Sequence, residues 1–220
     1  KKEKLEHYKK GVMQKLFSRE LRFKNNDGND YPEWEEKRLG ELGKFVGGGT
    51  PRSSNSNYWN GTIPWISSSD LIENNIKTIN IARFITEKAI KESATKLIPQ
   101  NSILIVSRVG IGKFAVSNCD LCTSQDFTNI VLKSKNSNAN FFAYYFSANK
   151  NIFTSLAQGT SIKGFTGDDL RSLKFFIPCF EEQQKISSFL SAIDKQIEQV
   201  ARQIEQSNQW KKGLLQKMFV

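Results

Sequence analysis

The chain has 220 residues, enough for one sizeable core plus an extended element, and 38% of them are hydrophobic. Its formal charge of +10, from 32 Lys and Arg against 22 Asp and Glu, suits a polyanionic partner, although a solvated basic face is the commoner cause of such a balance. No apolar run has the length of a membrane span or the core of a signal peptide, and three cysteines argue against a disulfide framework, so a soluble, cytoplasmic protein is expected.

The basic excess is uneven: residues 1–24 carry nine Lys/Arg against three acids, and residues 31–178 only seventeen against twelve. YKKGVMQKLF at 8–17 recurs as WKKGLLQKMF at 210–219, a constant offset of 202 that spans a glycine which helices normally avoid. This internal repeat predicts that residues 1–23 are the tail of a helix beginning before Lys1, and that the chain is a fragment or a half of a longer one. The turn formers of KNNDGNDYP mark a linker at 24–30, and a globular domain is expected over 31–178.

Within that domain, Trp34 to Phe45 reads as a short helix or strand, and GGGTPRSSNSNYWNG (47–61) as a long ordered loop anchored by Tyr58 and Trp59. IPWISSSDL (63–71) predicts a strand and a helix cap, 86–95 a short helix begun by Thr86, and SILIVSR (102–108) an apolar strand; FAVSNCDLC and TNIVLK add two more. Residues 138–157 carry Phe141, Tyr144 and Tyr145 at helical spacing, a stripe expected in the core rather than as a base-stacking platform. QGTSIKGFTGDDL (158–170) is a glycine-punctuated loop closed by a Thr166 or Asp168 cap, and LKFFIP (173–178) a final strand. Short strands mixed with short helices define an α+β class.

Residues 179–220 predict a long C-terminal helix. Ile186, Leu190, Ile193, Ile197, Val200 and Ile204 step by four and three, the a/d seam of a coiled coil, which requires a partner helix. Ser207 and Lys211 interrupt the seam before Leu214 and Met218, with Trp210 beside the gap. Glu181 and Glu182 in the first turn and Lys211, Lys212 and Lys217 in the last follow the order a helix dipole favours.

No catalytic constellation emerges. Gly110-Ile-Gly112-Lys-Phe-Ala115 fits a dinucleotide fingerprint, but the residues after it have strand character, so no helix N-terminus is available for a pyrophosphate. VSRVGIGKFAV reads instead as a hairpin presenting Arg108 and Lys113. Cys119 and Cys122 have CxxC spacing, but only Cys179 and His7 remain to complete a zinc site, and neither metal nor cofactor is expected.

Several strings together resemble one family: G-x-TP at Gly48 to Pro51, YWNGTIPW at Tyr58 to Trp65 with Asp70 after it, SRVGIGK, GTSIKGFTGDDL, IP-x-x-EEQQKI at Ile177 to Ile186, and the repeated KKG-xx-QK-xF ends. In this order they resemble the specificity subunit of Type I restriction-modification systems. The resemblance implies a target recognition domain at 31–178 held between that family's conserved helices. Such a domain reads one half of a split double-stranded DNA site, while separate methyltransferase and restriction subunits do the chemistry. A stand-alone nuclease or methyltransferase is the alternative, and a coiled-coil adaptor a third. DNA contact is expected from Arg108, Lys113, Thr160, Ser161 and Lys163, which lie beside glycines in two loops, and pairing with a second copy is expected through residues 180–218.

Overall fold

The computed structural model describes residues 1–158 and 164–218. Helix α1 (Lys2–Phe17) stops where Arg19 takes a left-handed φ of 67°, which lets the Leu21 N–H return to Lys15 O at 3.0 Å. The segment that follows is a closed turn. Asn25 Oδ1 accepts the N–H groups of Asp27 and Asn29 at 3.0 and 2.9 Å, and Lys24 bridges to Asp30.

Strand β1 (Glu35–Arg38) leads through helix α2 (Leu39–Leu42) into β2 (Gly43–Gly47). After a long loop come β3 (Trp59–Ile66), β4 (Arg83–Ile85), helix α3 (Glu87–Glu92), and β5 (Leu97–Ile98) to β9 (Thr128–Leu132), with β6 at Ile103–Ile105, β7 at Phe114–Val116 and β8 at Leu121–Thr123. Helices α4 (Ala139–Ala148), α5 (Lys150–Gln158) and α6 (Gly167–Ser172) precede β10 (Lys174–Ile177) and the long α7 (Phe180–Met218). One sheet has the antiparallel order β2-β9-β6-β7, and a second has the order β4-β3-β8-β5 with β3 and β8 parallel. β1 and β10 pair antiparallel, which brings the two ends of the domain together. The architecture is α+β, as expected.

Local signals account for several of these boundaries. Thr86 accepts from the Ala89 N–H to cap α3, and Thr166 with Asp169 forms a capping box on α6. FAVSNCDLC departs from the expectation of a single strand, because β7 and β8 belong to different sheets. The crossing residues are held by the preceding loop: Gln100 donates its N–H to Asp120 Oδ1 and its Nε2 to Asn118 O, both at 2.8 Å. The 47–61 segment is likewise shorter as a loop than expected, since a 3-10 turn forms at Ser56–Tyr58 and β3 begins at Trp59.

The largest core joins α1, α4 and the first half of α7 to the first sheet. Phe17 stacks on Tyr145 at 4.8 Å between ring centroids, and Trp34 meets both Phe141 and Tyr145 edge-on, so the aromatic stripe of α4 is core. Ile186, Leu190, Ile193 and Val200 of the α7 seam are buried, and α1 supplies the partner helix there. Beyond Val200 the seam emerges: Ile204 is 46% exposed and Trp210 69%.

Two carboxylates fix this arrangement. Asp194 of α7 binds Lys9 Nζ of α1 at 2.6 Å and accepts from the Tyr144 hydroxyl of α4 at 2.5 Å, and the Lys9 ammonium also lies over the Tyr144 ring. Burial, with Asp194 beside it, drives the Tyr144 phenol far above the usual tyrosine range. Glu182 lies in the first turn of α7, as expected, and is fully buried there. It accepts from Arg22 Nε at 3.2 Å and Nη2 at 3.0 Å and from Trp34 Nε1 at 3.1 Å, and its hydrogen bond raises the Arg22 pKa.

Cys122 packs with Trp65, Ile85 and Ala89, where burial pushes its thiol up to about 12, whereas Cys119 lies against a different apolar cluster. Among the described residues no group of three or more His, Cys, Asp or Glu could hold a metal, and no helix is long and apolar enough to cross a membrane.

Replacing Asp194 by Ala strands a buried lysine and should cost about 3–5 kcal/mol, whereas Tyr144→Phe, which removes one of two partners, should cost about 1–2 kcal/mol. Urea unfolding with unchanged slope would measure both; equal losses would show that the three groups act as one unit, and no loss in Tyr144→Phe that the Lys9–Asp194 pair alone matters.

Candidate nucleic-acid interface

One end of the domain gathers loops from both sheets. β2, β6, β3 and β8 finish there and β7 and β9 begin there, so the residues after Gly47, Ile66, Ile105 and Thr123 share an edge. Backbone hydrogen bonds tie these loops to one another. The Gly48 and Gly49 N–H groups reach Phe127 O and Thr123 O at 3.2 and 2.8 Å, the Ser107 N–H reaches Asp126 O at 2.7 Å, and the Phe165 N–H reaches Ser107 O at 3.1 Å. A Cβ on Gly48 would collide with Ser124 O and Thr123 Oγ1, so this close approach requires glycine.

The hairpin between β6 and β7 forms as the sequence implies. Gly110 and Gly112 adopt φ of 87° and 95°, which turn the chain at its tip. Arg108 and Val109 are exposed there, Val109 at 70%. Lys113 is placed differently from the expectation that it projects from the tip. Its Nζ donates to Ser68 O and Leu71 O, each at 3.0 Å, and so staples the hairpin to the 3-10 turn at Ser68–Asp70. The carbonyls of Ser68, which opens the turn, and Leu71, which follows it, explain the difference, because one ammonium donates to both. Thr160, Ser161 and Lys163 lie outside the described residues. The glycine after them, Gly164, is placed where an added Cβ would stand 3.1 Å from Arg108 Cγ, so the end of their loop meets the hairpin.

Two further groups lie at this edge; Thr50, Trp65 and Asp70 belong to strings that carry the family resemblance, whereas their partners Gln125 and Arg83 carried no signal of spacing or period. Thr50 Oγ1 donates to Gln125 Oε1, both exposed, which orients the glutamine amide at the crest of the turn closed by Phe127 N–H to Ser124 O at 3.2 Å. Arg83, directly across from Trp65 in the β3–β4 pairing, lies with its guanidinium 4.6 Å from the centre of the Trp65 ring and bound to Asp70. Trp65 is itself fixed by its Nε1 bond to Gly49 O at 2.9 Å.

Fold and edge together define a mixed α+β domain with a rigid polar loop surface, attached to a long helix that outruns its core. A family model for the Type I restriction modification DNA specificity domain matches residues 31–207, and the chain belongs to that family. It is 35% identical over 86% of its length to the Type I restriction enzyme MjaIX specificity subunit of Methanocaldococcus jannaschii, covering 44% of that protein. It is 34% identical over 74% of its length to the EcoR124I/EcoR124II specificity subunit of Escherichia coli, covering 41% of it. The chain thus spans less than half the length of these curated relatives. Its fold is shared with the crystal structure of a Type I restriction-modification S subunit from M. genitalium, at a TM-score of 0.67 and 13% identity over 93% of this chain and 51% of that one. The HsdS subunit from Thermoanaerobacter tengcongensis superposes at 0.65, with 18% identity over 91% and 46%.

Lys113→Ala should lower stability by about 1–2 kcal/mol by freeing two carbonyls, while Arg108→Ala should change it by less than about 0.5 kcal/mol. Thermal melts of the two variants would separate the staple from the projecting side chain.

Proposed function

We propose that this chain is the sequence-reading half of a Type I specificity subunit: it recognises one half of a bipartite DNA site and recruits methyltransferase and restriction subunits without catalysing a reaction itself. The carrying observation is the interlocked loop edge, with Arg108, Val109, Thr50 and Gln125 exposed on a backbone that the β-sheets hold rigid. Side chains of these types, on loops that project from a rigid frame, are what readout of base edges and phosphates requires. The sequence pattern adds Thr160, Ser161 and Lys163 from the adjoining loop. In a bacterial or archaeal cell such a protein works in the cytoplasm, where the DNA is.

We infer in addition that two copies pair through the C-terminal half of α7. Ile204, Trp210, Leu214 and Leu215 are exposed there, and 210–219 repeats the sequence with which α1 buries Lys9, Met13, Leu16 and Phe17. An apolar helix face of this kind calls for a helix partner, and a two-fold pair would place two readers at a separation set by the rise of about 1.5 Å per residue.

The purified chain should bind duplex DNA with an affinity that falls as salt rises, and Arg108→Ala should reduce the slope of log K against log salt by about one if Arg108 meets a phosphate. Binding indifferent to salt, or turnover of DNA with magnesium or a methyl donor in the absence of other subunits, would overturn the reading.

Light scattering should report twice the chain mass at micromolar concentration, reverting to one on Leu214→Asp/Leu215→Asp substitution. A single-chain mass at every concentration would remove the two-copy assembly and leave the DNA reading intact.

A further inference from the structure

We infer that Arg83 reads the major-groove acceptor edge of a guanine, with Asp70 as its positioning residue; the inference rests on the DNA-reading role proposed above. Three independent contacts hold the guanidinium in place. Its Nη2 donates to Asp70 Oδ2 and, at 2.8 Å, to Ser67 Oγ, and its Cζ lies over the buried Trp65 ring, 4.6 Å from the centre. The side chain is nevertheless 40% exposed, and among the described residues Nη1 and Nε donate to nothing. Arg83 therefore presents fixed donors to solvent, with most of its rotamer freedom already lost.

Its position is at the reading edge. The Ser67–Leu71 segment that holds it also receives both hydrogen bonds of Lys113, at Ser68 O and Leu71 O, and a Cβ on Gly110 would lie 3.9 Å from the Ser68 side chain. Arg83 is thus joined through one turn to the hairpin that carries Arg108.

Charge decides what it reads. Arg83 and Asp70 form a neutral pair, and a phosphate drawn to the guanidinium would be repelled by the carboxylate beside it. A neutral edge with acceptors only incurs no such repulsion. In the major groove the guanine edge offers N7 and O6 as acceptors, whereas the adenine edge sets an amino donor beside its N7, and a guanidinium has no lone pair to receive it. Arg108, for which no acidic partner is present among the described residues, lacks this bias and suits phosphate as well as base.

The test is selection from a library of duplexes with randomised base pairs, using the full chain and its Arg83→Lys, Arg83→Ala and Asp70→Asn variants. The unaltered chain should enrich a motif containing a G·C pair. Both Arg83 variants should lose roughly tenfold or more of the preference at that one position and keep the others. Asp70→Asn keeps an oxygen for the Ser67 N–H, which Asp70 now accepts at 2.7 Å, so the turn should survive. The freed arginine charge should then steepen the salt dependence by about one unit while the same G·C position blurs. Motifs unchanged in both Arg83 variants would overturn the inference and leave DNA reading standing. So would an Arg83→Ala variant that weakens all sequences alike and lowers the salt slope, since that is a phosphate contact. Failure of the unaltered chain to enrich any motif would remove the DNA-reading role, and this inference with it.

Discussion

A buried carboxylate has to find its partners inside the protein, and Asp194 finds them on two other helices. Lys9 comes from α1 and the Tyr144 hydroxyl from α4, so the charge is compensated only when all three helices sit in one register. Glu182 imposes a similar condition about three turns earlier in α7, tying Arg22 and Trp34 to the start of the long helix. Apolar packing would tolerate small slips of α1 along α7; these two acids do not. The repeated segment sharpens the point, because Lys211 stands where Lys9 stands in the first copy and is exposed.

From that helical base the two sheets deliver their loops to one edge already assembled. Gly48, Ser107 and Phe165 donate their backbone N–H groups to neighbouring loops, and Lys113 closes the remaining gap between the hairpin and the turn beneath it. Loops held this way lose little further freedom on binding, so contacts made by their exposed side chains are not consumed in ordering the backbone.

Much of the fold was legible in the residues. The a/d series identified α7, the aromatic stripe identified α4 as core, and the threonine caps of α3 and α6 fell where their side chains could accept a backbone N–H. Other features were not. Glycines announce a turn but do not say which way a neighbouring lysine will face, and Lys113 went to two carbonyls created by a turn some forty residues away in sequence. Glu182 resembled any first-turn acid, because nothing local records that Arg22 and Trp34 fold over it. The strand crossing at Cys119 was hidden for the same reason: alternation of apolar residues fixes a strand's faces, not the sheet it joins. Thr50 with Gln125, and Arg83 with Asp70, meet only through tertiary pairing of distant segments.

The hairpin edge separates two kinds of position. Gly48, Trp65 and Lys113 have their places dictated by a collision, an indole bond and two carbonyls, and a change at any of them is felt by the frame. Arg108, Val109 and Gln125 stand on that frame with their side chains in solvent. Substitutions there leave the packing alone, so selection can rewrite the outward residues one at a time while the scaffold stays fixed. A lineage of such domains can diverge in what it recognises without passing through unfolded intermediates.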